Sequence, residues 1–190
     1  MVKEKKEKRE SKLIGQGAYG CVYHPAITCS GKTSTSQKYI TKLVVDDDNA
    51  KKEIMFGELV SKIRNFKKFF SPLVKNCPAN LRALGGDKTL SSQGLLNSKS
   101  SPLDGCEVLD KFPDSSFLLT YVDFIDGSIL GDYFSRLPYD KGFFSQIRSS
   151  YLYLVNSLQI LYTNGIIHYD LKSDNIMFDE VNNIPIIIDF

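Results

Sequence analysis

Between residues 39 and 45 the chain reads "YITKLVV". Tyr39, Thr41, Leu43 and Val45 fall on one side of an extended strand, and Ile40, Lys42 and Val44 on the other. The stretch "KLIGQGAYGCVYHP" before it is β-prone on both sides of a glycine cluster, and the polar "CSGKTSTSQ" intervenes, so residues 12–45 are predicted as strands. "DDDNAKKEIMFGELVSKIRNF" then opens with capping Asp and Asn residues. It repeats Ile54, Leu59, Val60 and Ile63 at helical spacing, which predicts a helix broken by "FFSPLV" at Pro72. Residues 76–105 are rich in Ser, Gly, Asn and Pro and predict a long loop or insertion. "CEVLDKFPDSSFLLTYV" predicts a strand, a turn and a strand, and "DFIDGSILGDYFSRL" a linker into a short helix. The longest helical pattern covers 144–164 and ends at Gly165. It crowds Leu152, Leu154, Val155, Leu158, Ile160 and Leu161 into one segment, more than one packing surface covers. "IIHYDLKSDNIMFDE" and "NNIPIIIDF" close the chain as a loop flanked by short strands. The fold class is therefore α+β: five strands with one helix inserted, then an α-rich region. No internal repeat is visible.

Composition narrows the function classes. Hydrophobic residues make up 42% of the 190 positions, enough for a packed core, and the net charge of +2 gives no concentrated basic face for nucleic acid. No apolar run approaches the roughly 20 residues of a membrane span, so no membrane partner is expected. "MVKEKKEKRESK" has no apolar core of a secretory signal, and residues 1–11 read as a solvated charged tail. A cytoplasmic protein with reduced thiols is expected. Cys21, Cys29, Cys77 and Cys106 form no CxxC pair, and the only histidines are His24 and His168, so a zinc site is not expected. Cys77 and Cys106 flank the polar insert and could lie close in space.

Three stretches carry chemistry. "GQGAYGCVY" spaces Gly15, Gly17 and Gly20 as GxGxxG, in which glycines let the backbone approach phosphate oxygens. Alone this is a weak signal, and a plain turn would look the same. A dinucleotide fold requires a helix after it. Here β-prone "CVYHP" follows, so the glycines join two strands of a hairpin, a flap over a nucleotide with Val22 against the base. Lys42 faces the same side. An edge-strand lysine reaching water is the plainer reading, but beside a phosphate flap its ammonium neutralises α- and β-phosphate charge. It would need a carboxylate partner. Glu53 shares a helix face with Phe56, Gly57 and Val60 and is preferred; Glu58 shares a face with Lys62 and Asn65 and is the alternative. The third stretch is "HYDLKSDN". His168 reads as a packed core residue. Asp170 can accept a proton from an alcohol, Lys172 can neutralise a transferring phosphoryl group, and Asn175 and Asp189 offer oxygens to a hard cation such as Mg²⁺.

In order and spacing these stretches resemble the protein kinases. "GQGAYGCV" is similar to the family's glycine loop, "YITK" to its strand lysine, "HYDLKSDN" to its catalytic loop and "DF" to the start of its DFG motif. The lysine in "DLKSDN" resembles serine/threonine kinases. "GAYGCVYHPAITCSGK", "YITKL" and "FFSPLVKNCP" resemble the divergent kinases of large nucleocytoplasmic DNA viruses, which would place the protein in host cytoplasm or virion.

The resemblance implies a kinase-like fold: a five-stranded antiparallel N-lobe with one helix over 12–122, then a hinge and partial α-rich C-lobe over 123–190. It implies ATP and Mg²⁺ as cofactors and a protein Ser/Thr hydroxyl as acceptor. Ile14, Gly15, Gln16, Gly17, Ala18, Tyr19, Gly20, Val22, Lys42, Thr120 and Val122 would contact ATP. Lys42, Glu53, Asp170 and Lys172 would be catalytic, and Asn175 and Asp189 would hold the metal. Leu119 would stand at the back of the base pocket, with Thr120 to Val122 bonding adenine through the backbone, and Phe190 would pack under the glutamate helix.

Several positions depart from the family pattern. Tyr169 replaces the arginine that pairs with a phosphorylated activation loop, which implies activity without such phosphorylation. Gly57 stands where a bulky apolar residue is usual, Ser173 replaces a proline, and "DFIDGS" lengthens the hinge. Because the resemblance stops at "DF", the polypeptide is expected to be a fragment or an interrupted reading frame, inactive alone. The rival readings are a non-catalytic nucleotide-binding pseudokinase or interaction module, and a small-molecule kinase.

Overall fold

The computed structural model describes residues 10–32, 34, 36–84 and 103–190. Among the described residues, nine strands and four α-helices run in the order β1 (Lys12–Gln16), β2 (Gly20–His24), β3 (Tyr39–Val45), α1 (Asp48–Ser61), β4 (Phe70–Ser71), β5 (Leu73–Pro78), α2 (Val108–Lys111), β6 (Phe117–Asp123), β7 (Gly127–Ile129), α3 (Leu130–Ser135), α4 (Lys141–Thr163), β8 (Ile176–Asp179) and β9 (Ile184–Ile188). The fold is α+β. Its contacts divide into two compact units, residues 1–51 with 75–124 and residues 52–74 with 125–190. The second unit thus takes in most of α1 and the chain up to Val74, segments that the sequence reading grouped with the strands.

The first unit is built on an antiparallel sheet in the order β1-β2-β3-β6-β5. The alternation in β3 sorts its faces as expected: Thr41, Leu43 and Val45 are buried, and Ile40, Lys42 and Val44 half-buried. Leu43 pairs with Leu119, and both join Cys21, Tyr23, Phe117 and Tyr121 in the main core, under Ile27, Leu84, Leu103 and Val108. Two polar groups enter this core with partners: the Tyr121 and Thr41 hydroxyls both donate to the Ile27 carbonyl, at 2.8 and 3.1 Å. Burial also raises the pKa of Tyr121 and Tyr23, so both stay phenols.

Four expectations change here. The four cysteines are not thiols: Cys21 is bonded to Cys106 and Cys29 to Cys77. Cys77 and Cys106, the pair flanking the insert, are thus each tied to a different strand-side partner. Residues 106–112 are not a strand; Val108, fully buried, anchors the single helical turn α2. The fifth strand is β5, directly after Pro72. It lies at the sheet edge, so its apolar positions do not alternate, and only Leu73 is buried. Ser11 is not solvated tail: it is buried, and its hydroxyl donates to the Pro25 carbonyl at 2.7 Å. The rest of the expected tail, residues 1–9, and positions 85–102 of the expected insert lie outside the described residues.

The second unit carries the sheet β4-β9-β8-β7, in which β4 and β9 are parallel. Asp47 caps α1, accepting from the Ala50 N–H at 2.9 Å. Gly57 is buried, and a Cβ there would lie 2.9 Å from the Leu73 carbonyl oxygen. The helix can approach that segment only with glycine, which explains why no bulky residue stands at 57. Gly57→Leu is therefore expected to destabilise the protein by about 1–3 kcal/mol, read from denaturant unfolding, rather than strengthen its core.

Helix α4 starts three residues earlier than periodicity alone suggests, because Asp140 caps it by accepting from the Phe143 N–H at 3.0 Å. It ends in a Schellman motif: Gly165 has φ 70°, and Ile166 N–H donates to the Leu161 carbonyl at 3.0 Å. Its crowded apolar residues part company. Leu161 is buried, and Leu154, Leu158 and Ile160 pack on Val60, Phe70 and Ile187, whereas Leu152 and Val155 are 55% and 44% exposed. With Phe144 and Tyr151 they form an exposed apolar stripe. Leu152→Lys with Val155→Glu is expected to change stability by no more than about 0.5 kcal/mol each while reducing self-association in sedimentation velocity.

Candidate functional site

In the first unit the glycine cluster is a β-hairpin. Gly15 pairs with Val22, Gln16 pairs with Cys21, and the turn is closed by Gly17 N–H donating to the Gly20 carbonyl at 2.9 Å. Its glycines have different reasons to be glycine. At Gly20 a Cβ would lie 2.9 Å from the Leu43 carbonyl oxygen, so close strand packing excludes a side chain. At Gly17 no other described residue lies within 4 Å of a built Cβ, and φ is outside the left-handed range. Among the described residues nothing demands glycine there. Ala18 completes the turn, and the side chains of Ile14 and Tyr19 are 56% and 62% exposed.

Register sets what shares a face with this hairpin. Val22 pairs with Lys42, Lys42 pairs with Thr120, and Ile40 pairs with Val122. Paired residues of antiparallel strands point the same way, so Val22, Lys42, Thr120 and Val122 lie on the sheet face opposite the main core. Leu119 does not. It pairs with Leu43 inside the core, and Thr120, itself fully buried, is the residue beside Lys42 on the opposite face. Leu119, expected at the back of a base pocket, therefore points into the core and not to the face that carries Lys42. The uniform run "FLLTYVD", buried at Phe117–Val122, hid which residues faced which side.

On α1, Glu53 is half-buried on the side of Ala50, Gly57 and Val60, and Glu58 is exposed.

In the second unit the segment after Gly165 runs to β8 as a loop with a three-ten turn at Ser173–Asn175. His168 fixes it from within: its Nε2 lies 2.9 Å from the Ile188 carbonyl oxygen, and its ring sits 5.0 Å from that of Phe190. Phe190 in turn meets Phe70 edge-on at 5.7 Å and packs on the cluster containing Val60. His168 is thus half-buried and tied to β9, and Phe190 packs on the cluster that includes the α1 residue Val60.

Around this frame three polar residues converge. Lys172 Nζ donates to Asp170 Oδ2 at 2.7 Å. Asn175 Nδ2 donates to the same oxygen at 3.0 Å and to the Asp170 backbone carbonyl at 2.8 Å. Asn175 is buried, and Asp170 is 69% exposed. The Lys172 hydrogen bond, with help from Asn175 and the positive charge at Lys172, holds the Asp170 carboxyl below its ordinary pKa. The same bond, with the charges of Asp170, Asp174 and Asp189, raises the Lys172 pKa. Asp189 is therefore near enough for its charge to act at Lys172. Its backbone sits at φ 58°, a conformation costly for a non-glycine residue and concentrated at functional sites. Tyr169, in the middle of the loop, is 91% exposed.

Among the described residues no three His, Cys, Asp or Glu side chains form a metal-ligating group. Asn175 and Asp189 are a pair, one amide and one carboxylate. With its nitrogen committed to Asp170, Asn175 turns its Oδ1 to the other side, the end that a hard cation takes. Such a pair suits a cation that brings most of its ligands with it, as Mg²⁺ does on a polyphosphate.

No family model matches the chain. Among the described residues no helix is long and apolar enough to cross a membrane.

Proposed function

We propose that this protein has a kinase-like fold and transfers the γ-phosphoryl group of ATP to a protein Ser or Thr hydroxyl. The observation that carries this reading is the convergence of Lys172 and Asn175 on one oxygen of Asp170, with the charge of Asp189 felt at Lys172. A polar turn with no chemical task would not need a buried asparagine and a strained aspartate aligned with an exposed Asp–Lys pair. The glycine hairpin and the half-buried Lys42 offer what a nucleotide polyphosphate requires. Gly17, with no described residue that demands glycine there, suits a backbone that must come close to phosphate oxygens.

Each residue then has a task. Asp170 Oδ1, not tied by Lys172 or Asn175, accepts the hydrogen bond of the acceptor hydroxyl and orients it; the proton passes to this carboxylate as the hydroxyl oxygen bonds to the γ-phosphorus and the bond from that phosphorus to the bridging oxygen breaks, with ADP leaving. Lys172, kept protonated, lies beside that carboxylate and offsets charge on the transferring group. Lys42 neutralises α- and β-phosphate charge. Asn175 and Asp189 would hold Mg²⁺, which would supply positive charge against the phosphate oxygens.

Isothermal titration with Mg·ATP, followed by phosphate transfer to a Ser/Thr peptide mixture, tests the reading. Binding lost in Lys42→Met supports it. Tight binding with no transfer by the unaltered protein would assign a non-catalytic nucleotide-binding module instead, and absence of nucleotide binding would reject both.

The electrostatics add a pH expectation. Asp170 has a folded-state pKa below its unfolded value, so it stays ionised until pH falls through the lowered value. Its contribution to stability is present above the unfolded pKa and is lost on that descent. A carbon-detected NMR titration should therefore place Asp170 below the ordinary aspartate value of about 3.9. Lys172→Met should move it up. An Asp170 that titrates near neutrality would contradict the assigned hydrogen bonds.

A further inference from the structure

The glycine hairpin is held by a segment that its sequence motif does not include. Cys21, the residue after Gly20 and the cross-strand partner of Gln16, is bonded to Cys106. Gln16 Nε2 donates to Glu107 Oε1 at 3.3 Å, and the Glu107 N–H donates back to Gln16 Oε1 at 3.4 Å. The Tyr19 and Phe112 rings lie 6.4 Å apart. Gly105, at φ 86°, lies beside Leu13, whose Cδ2 would be in ordinary contact, at 3.6 Å, with a Cβ built there. Leu13, Gln16, Tyr19 and Cys21 span the hairpin from its first strand through its turn to its second. All four meet one short stretch, Leu103–Phe112, which Val108 seats in the core.

We propose that Leu103–Phe112 is a clasp that positions the hairpin for nucleotide phosphates, through the Cys21–Cys106 disulfide and the Gln16–Glu107 pair. This rests on the nucleotide reading given above. A glycine turn with no packing around Gly17 samples many backbone arrangements, and only some present it to a phosphate. Apparent affinity falls in proportion to the competent fraction. Tethering the hairpin on both sides of the turn raises that fraction before ligand arrives. Both cysteines of the staple are buried, which fits a permanent tether better than one that is opened and closed. Glu107 is a positioning residue and touches no substrate.

The test uses the whole chain and two readouts. Hydrogen exchange of the amides at residues 16–21 without ligand reports the tether itself. Dissociation constants for Mg·ATP and for adenosine separate phosphate positioning from base binding. Cys106→Ser is expected to speed exchange across the hairpin and to weaken Mg·ATP about tenfold, with adenosine unchanged. Glu107→Ala, on an exposed side chain that leaves the core intact, should shift both readouts in the same direction, and Glu107→Gln should restore them. Unchanged exchange in both Cys106→Ser and Glu107→Ala would overturn the proposal. So would equal weakening of ATP and adenosine, which would mark general damage to the sheet. If the unaltered protein binds neither nucleotide, the nucleotide reading fails, and faster exchange in the variants would then show a tether with a structural role only.

Discussion

Replacing Asp170 by Asn is expected to lower phosphoryl transfer by about 10²–10⁴-fold while leaving Mg·ATP binding nearly unchanged. The substitution is close to isosteric. An Asn side chain can turn its amide oxygen toward Lys172 and Asn175, which now donate at 2.7 and 3.0 Å to Oδ2, so the loop has reason to keep its shape. What disappears is the carboxylate oxygen left to accept from the acceptor hydroxyl. The amide nitrogen in its place is a donor, and it repels the proton that has to leave. Because Asp170 is assigned to the hydroxyl and not to ATP, the loss should appear in turnover and not in nucleotide affinity. Single-turnover transfer and isothermal titration on the same preparation separate the two. Full turnover in Asp170→Asn would remove this residue from the chemistry and leave the loop as a structural turn.

The elements that can be read from the chain are those whose signal is local. Thr41, Leu43 and Val45 alternate with Ile40, Lys42 and Val44 because β3 is a central strand with two unlike faces, and period two survives there. The hairpin follows from β-prone residues on both sides of Gly15–Gly20. Helix α4 follows from its period, and only its start, set by the Asp140 cap, was displaced. The unread parts depend on partners far away in sequence. β5 sits at a sheet edge and shows no alternation. The Cys21–Cys106 and Cys29–Cys77 bonds close separations of 85 and 48 residues, and nothing near any of these cysteines announces its partner.

The candidate site divides in the same way. Asp170, Lys172 and Asn175 lie within six residues, so local geometry brings them together and the sequence could show it. The facing of Leu119 and Thr120 could not be read, because both are buried and only register with Leu43 and Lys42 tells them apart. Glu107 had no signal at all. It matters to the hairpin through Gln16, 91 positions away.

Glycines give the sharpest contrast between local motif and long-range packing, and Gly127→Ala is expected to be the most damaging small substitution in the second unit. Gly127 pairs with Asp179 across β7 and β8. A Cβ built on it would collide with the Phe178 carbonyl oxygen and lie 3.3 Å from the Glu180 nitrogen. The obstacle is backbone, so no rotamer change relieves it, and β7 must leave β8. Phe178 is fully buried and stacked on Tyr133 at 3.7 Å, in the cluster with Leu130 and Ile176. Shifting its peptide disturbs that cluster and the start of β8, which follows directly on Asn175. A loss of about 3 kcal/mol is expected, at the upper end for overpacking, and a large share of the ~5–15 kcal/mol that holds a domain together. Gly17→Ala is the counterpart. Its Cβ meets nothing within 4 Å, so stability should hold or rise by up to about 1 kcal/mol as the unfolded chain loses freedom. If the hairpin serves phosphates, that same methyl group should weaken Mg·ATP binding. Denaturant midpoints for the two variants, with nucleotide titration of the second, decide the matter. A Gly127→Ala protein that unfolds at the unaltered midpoint would refute the packing argument, and a Gly17→Ala protein with undiminished nucleotide affinity would detach Gly17 from the phosphates.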